Sequence, residues 1–205
     1  MGTGWIPSPY DARDASWDTL IGGVAEIPPE TFTRPVPQYI AFQNGILGCV
    51  WCTLAALQEF GSNEEDHHVQ LSWRWGYANT PGGSGGRDYR TGADFLRKQG
   101  IPEDRYCLND VSVVVNKFLD VSSVTQEGKN NANRYQIKNY SFVSTDISNL
   151  KSACYRWPIA IAIPGNNADW SKPVSEIVHF TGKTEWYHSV SLWDWTENYL
   201  GVLNW

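Results

Sequence analysis

Between Val50 and Phe60 the apolar positions fall nearly all round a helix: Val50, Trp51, Leu54, Ala55, Leu57 and Phe60 leave no wet face, the pattern of a buried helix. Gly61 stands where a C-terminal cap is expected, followed by polar Ser62-Asn63. Ahead of this helix, Gln43-Asn44-Gly45-Ile46-Leu47-Gly48 reads as a tight glycine-containing loop that delivers Cys49 to the first helical turn. Other stretches are weaker in pattern. Leu71–Asn79 is expected to be a short helix, and Ala93–Gln99 a helix closed by Gly100 with Pro102 beyond. Thr145 or Asp146 caps a helix with the apolar face Ile147, Leu150, Cys154, and Ile159–Ile163 is a buried strand after Pro158. The β-branched run Val111–Val115 and the stretch Arg134–Val143 are expected to be strands around a polar loop at 128–133. Tyr187–Trp205 alternates about the turn Thr196-Glu197-Asn198, a hairpin signal.

The first 42 residues differ from all of this. Pro7, Pro9, Pro28, Pro29, Pro35 and Pro37 interrupt any period, so an extended segment wrapping a surface is expected, with Ile40–Phe42 a short strand. The order is helix-rich, then strand-rich, which suits an α+β fold with a cleft between two lobes: an N-terminal segment 1–42, a helical lobe 43–108 and a β-rich lobe 109–205.

Composition narrows the function. A 205-residue chain with 41% hydrophobic and 14% aromatic residues, eleven of them Trp, carries a substantial core. A net charge of −6 argues against nucleic acid or an anionic membrane as partner. There is no apolar run of membrane-spanning length and no signal-peptide pattern. The glycine run at 82–86 lacks the lysine and preceding strand of a phosphate loop and reads as a connector or groove lining. Adjacent His67-His68 lie in a charged loop, where histidines are usually solvated. The cysteines are Cys49, Cys52, Cys107 and Cys154; with Cys49 a free nucleophile complete pairing is impossible, which favours a reducing, cytoplasmic or virion-associated setting, one disulfide still being allowed.

Chemistry gathers on Cys49. The positive end of the helix dipole favours its thiolate, and Gln43, six residues earlier, offers an amide donor for an oxyanion beside the sulfur. His188 opens a strand and Asn204 follows sixteen residues later across the hairpin, so the two can face each other. A histidine there would take the thiol proton, and the Asn204 amide oxygen would hold its ring. His179 has no such companion.

These residues resemble the papain-like cysteine peptidase family. Gln43 to Cys49 is similar to that family's Gln-Gly-x-Cys-Gly-Ser-Cys loop without a gap, and Glu59 falls where its helix carries a glutamate. His188-Ser189-Val190 resembles His-Ala-Val, and Asn198-Tyr199-Leu200 through Asn204 matches the ensuing strand. Leu71-Ser72, Gly85-Gly86 before Gly100-Ile101, and Trp157-Pro158-Ile159-Ala160-Ile161 resemble weaker landmarks in the same order. The likeness runs from Pro7 to Trp205. It implies a two-lobed fold with an antiparallel, barrel-like C-terminal lobe. It also implies hydrolysis of peptide bonds through an acyl-enzyme: Cys49 as nucleophile, His188 as base and acid, Asn204 as orienting residue, and Gln43 with the Cys49 N–H as oxyanion hole. Gly85, Gly86 and Gly48 would line the substrate groove, and no cofactor or metal is called for. The chain departs from the family in three ways. Val50 stands in place of the usual Trp, Ile46 replaces an anchoring half-cystine, and relatives continue past the position of Trp205, so the fold is expected shortened or the sequence a piece of a longer one. An alternative register makes Cys52 the nucleophile, at the expense of the Gln43 spacing and Glu59. Two rival readings remain at this stage: a dormant domain of the same fold serving a larger viral or phage assembly, and a cell-wall amidase or processing peptidase.

Overall fold

Helix α1 (Cys49–Glu64) runs through the middle of the molecule, with Val50, Trp51 and Cys52 sealed from solvent as its all-round apolar pattern demands. The computed structural model describes residues 4–12, 14–17, 27–37, 39–64, 68–171 and 177–205. The helix does not stop at Gly61. A Cβ there would stand 2.7 Å from the Trp157 ring, so this glycine admits an indole instead of ending a helix. On one side α1 packs against α2 (Trp73–Asn79) and α3 (Tyr89–Gln99). Ser72 and Asp88 cap those helices through their side chains, and Gly100, at φ 70°, closes α3 as expected.

The other side of α1 meets an antiparallel sheet of β1 (Ile159–Gly165), β2 (Trp186–Trp195) and β3 (Leu200–Leu203), in that order. It is an open sheet of three strands among the described residues, the barrel-like lobe in reduced form. Register sets Ile163 opposite His188 and Ile161 opposite Val190. Asp146 caps the helix Ile147–Arg156 with two N–H bonds, and its Cys154 packs on Leu192 and Trp195 behind the sheet. The extended N-terminal segment pairs Phe32 with Trp195. Arg34 is buried beside that bridge, donating to the Cys154 carbonyl at 2.7 Å with its guanidinium over the Phe60 and Phe32 rings.

Between the lobes the expected strands are absent. Val111–Val114 forms a turn and loop, Val115–Leu119 is a helix, and Gln126–Ala132, overlapping the polar loop expected at 128–133, is another helix capped by Thr125. Of Arg134–Val143 only Phe142 forms a bridge, with Ser16, and Ile40–Phe42 is irregular. The β-propensity of the valines is overridden because Phe118 must reach the core against Trp73, ring centroids 4.7 Å apart. All four cysteines are free.

Glu59 accepts the Leu71 N–H at 2.7 Å inside this core, and burial pushes its carboxyl up to about 8. The folded state therefore holds a proton there that the unfolded chain releases near the ordinary glutamate range. Stability should fall as pH rises from about 4.5 towards 8. Half-buried Asp104, also raised by burial, adds the same sign at the lower end. Glu59→Gln should flatten the decline, measured by urea midpoints at pH 5 and 8.

Candidate active site

The loop before α1 is as tight as its sequence suggests. Asn44 at φ 40° and Gly45 at φ 80° turn the chain through left-handed backbone, closed by the Ile46 N–H on the Gln43 carbonyl. The Asn44 amide ties this loop to the Val111 carbonyl. Gly48 lies against Trp73, so its missing side chain serves packing. Cys49 then opens α1, and Cys52, one turn deeper, stays in the core away from the groove. The register with Cys49 foremost is the one the geometry favours.

A groove of about 610 Å³ brings together Gln43, Cys49, His188 and Asn204. His188 Nε2 lies 2.7 Å from Asn204 Oδ1 across the β2–β3 hairpin. That carboxamide oxygen also accepts the Trp205 backbone N–H at 3.0 Å, so the ring bond is a donation from Nε2–H and Nδ1 is left facing elsewhere. The next residue, Ser189, points its N–H at Cys49 Sγ, 3.4 Å away. Thus the strand that carries His188 touches Cys49 through its next residue, 140 positions along the chain. A larger concavity of about 1090 Å³ elsewhere, lined by Gln58, His68, Glu103 and Arg134 among others, is polar and has no cysteine in its lining. Position 67 lies outside the described residues, and His179 is exposed.

Two tryptophans missed by the sequence reading box the histidine. Trp170 and Trp186 each stand edge-on, 6.3 Å from the His188 ring. Asn167 fixes the Trp186 indole at 3.0 Å, and Gly165 lies beneath both rings where a Cβ would collide. Burial lowers the His188 pKa and the Asn204 bond works against it. No signal short of the fold would have singled out these two among eleven tryptophans.

The N-terminal segment is the largest surprise. Gly4 lies on the thiol: a Cβ there would sit 2.6 Å from Cys49 Sγ. Trp5 forms a parallel bridge with Arg87, the Ile6 N–H reaching the Arg87 carbonyl at 2.9 Å and the Arg87 N–H reaching the Gly4 carbonyl at 3.1 Å. Its indole packs at a tilt against Tyr187 and Tyr89, ring centroids 5.4 and 6.4 Å away. The stretch expected only as an extended, Pro-rich opening therefore covers the Cys49 sulfur. The cover also works against the thiolate. Burial pushes the Cys49 thiol up to about 11, outweighing the N–H groups of Ser189, Val50 and Cys49 that pull it down.

Gly85 and Gly86 are not where they were expected to act. Their carbonyls turn inward onto the Arg87 guanidinium, at 2.6 and 3.2 Å, which also takes the Tyr77 and Gly83 carbonyls. The backbone edge that the N-terminal segment occupies is that of Arg87, and of this loop it is Ser84 that lines the groove. Among the described residues no three His, Cys, Asp or Glu converge as metal ligands.

No family model and no curated protein sequence matches the chain. Solved structures do. Xylellain, a cysteine protease from Xylella fastidiosa, is similar with a TM-score of 0.78 over 96% of this chain and 80% of its own, at 21% identity. ProCathepsin B S9 from Trypanosoma congolense gives 0.65 over 96% of this chain and 71% of its own, at 12% identity. The proform of the ragweed pollen cysteine protease Amb a 11 gives 0.58 over 87% and 54%, at 14% identity. The chain has the papain-like fold.

Proposed function

We propose that this chain is a cysteine endopeptidase of the papain-like type, hydrolysing peptide bonds through an acyl-enzyme on Cys49. The observation that carries the reading is the joined pair of contacts at the hairpin: His188 held by Asn204 at 2.7 Å, and the adjoining Ser189 N–H on the Cys49 sulfur. A sulfur at a helix start, an imidazole with one nitrogen committed to an amide oxygen, and a facing glutamine form the set that acyl transfer needs.

In this reading the Cys49 thiol gives its proton to the free nitrogen of His188, and the sulfur bonds to the carbonyl carbon of the scissile peptide. The carbonyl oxygen becomes an oxyanion that accepts hydrogen bonds from the Gln43 amide and the Cys49 N–H. As the tetrahedral adduct collapses, the carbon–nitrogen bond breaks and the imidazolium protonates the departing amine. Water, deprotonated by neutral His188, then attacks the thioester; the carboxylate leaves and the proton returns to sulfur. Trp170 and Trp186 keep bulk water from the ring while this happens. The substrate strand would pair with the Arg87 backbone, displacing Gly4–Ile6.

The covered sulfur equally favours a second reading, a dormant domain that binds through the groove without turning over. Intact mass after incubation with a thiol-directed epoxide separates the two. The active reading expects one adduct on the wild type and none on Cys49→Ala; an adduct lost only in Cys52→Ala, or no adduct at all, overturns it. Digestion of denatured protein but not peptidoglycan sets the peptidase apart from a cell-wall amidase.

A further inference from the structure

Beneath the thiol runs a chain of buried hydroxyls that the proposed reaction does not touch. Thr53, one turn along α1 from the nucleophile, donates to the Cys49 carbonyl at 2.9 Å. Its oxygen stands 2.7 Å from Ser189 Oγ and accepts the Trp205 indole N–H at 2.9 Å. Ser189 Oγ lies 2.6 Å from the Tyr89 hydroxyl, which donates to the Ile161 carbonyl at 2.7 Å. Thr53 and Ser189 are fully buried.

Proton counting separates this chain from ordinary core polar packing. Three hydroxyls bring three protons, yet four contacts ask for one: Thr53 with Cys49, Thr53 with Ser189, Ser189 with Tyr89, and Tyr89 with Ile161. The Trp205 N–H supplies its own. Losing the Thr53 hydroxyl leaves two protons for the two remaining hydroxyl contacts, so those bonds become satisfied while the ties through Thr53 disappear. Those ties reach every part of the site. Ser189 follows His188, Trp205 follows Asn204 and its backbone N–H also holds the Asn204 oxygen, and the Cys49 carbonyl belongs to the nucleophile.

We propose that Thr53 is a positioning residue, its single oxygen keeping Cys49, His188 and Asn204 in register; the inference rests on the thiol-hydrolase reading of that site. Its variants are Thr53→Val, similar in shape without the hydroxyl, Thr53→Ser, which restores it, and Trp205→Phe, which removes only the indole donor. Two measurements are made on each full-length protein: kcat and KM on a denatured polypeptide, and the rate of Cys49 alkylation by iodoacetamide against pH.

Thr53→Val is expected to lower kcat about tenfold with KM within about twofold, the split of a residue acting on the reacting geometry. A looser Asn204 releases the His188 proton more easily, so the limb of the alkylation profile that follows His188, below the thiol's own ionisation, moves to lower pH. Thr53→Ser should recover both, and Trp205→Phe should shift the limb in the same direction. A folded Thr53→Val with wild-type kcat and limb overturns the proposal whatever its melting temperature, as does a serine that does not rescue. If the valine variant does not fold, an unmoved limb in Trp205→Phe overturns it. A wild type that shows the limb but cleaves no polypeptide discards only the peptidase reading, and the alkylation profiles still decide on Thr53. A wild type with no limb overturns both.

Discussion

Alanine at Gln43 is expected to reduce kcat by two to three orders of magnitude, about 3–4 kcal/mol of barrier, with KM nearly unchanged. The reason is timing. A neutral carbonyl asks little of a donor, and the oxyanion that replaces it asks a great deal, so the amide acts chiefly on the transition state. The loop that carries Gln43 is fixed by left-handed backbone at Asn44 and Gly45 and by the Asn44 tie to Val111, and the residue lines the groove beside Cys49. No large reorganisation should accompany the truncation. Steady-state kinetics on a peptide substrate would check this, and a loss carried by KM alone would take the oxyanion role away from Gln43.

The second large effect concerns the segment over the sulfur. Trp5→Ala removes an indole held by Tyr187 and Tyr89. Truncating a fully buried aromatic costs about 3–5 kcal/mol; for a partly buried one such as Trp5 about 2 kcal/mol is reasonable, roughly a 30-fold shift towards the uncovered groove. The docking also contains a built-in weakness, because the Trp5 indole N–H is buried with no hydrogen-bond partner among the described residues. Uncovering rehydrates the thiol, so its pKa should fall from about 11. Alkylation of Cys49 should then be faster and its thiol-titration limb should shift to lower pH. Rates equal to wild type would mean that Gly4–Ile6 does not guard the sulfur.

Local chemistry made much of this legible in the sequence. Cys49 at a buried helix start, the Asp146 cap, the strand after Pro158 and the hairpin that sets His188 against Asn204 are all near-neighbour patterns, and the structure has each of them. What escaped was decided by distant partners. Val111–Val115 has strand propensity, but Phe118 and the Asn44 tie determine its path. Gly61 has the composition of a cap, and only the Trp157 ring above it explains why the helix continues. Gly4-Trp5 carries no period at all. Its place is set by pairing with the Arg87 backbone more than eighty residues away, which no window along the chain contains.

Arg87 gives the groove one more property. Its guanidinium is closed in by carbonyls of its own glycine-rich loop and by the Thr80 hydroxyl, and it reaches the Tyr77 ring face at 4.1 Å. A stretch whose composition suggests slack is therefore a stiff template before any peptide arrives. Little ordering entropy is charged to binding there, and whichever strand lies on it, the chain's own or an incoming one, competes for the same two hydrogen bonds on equal backbone terms.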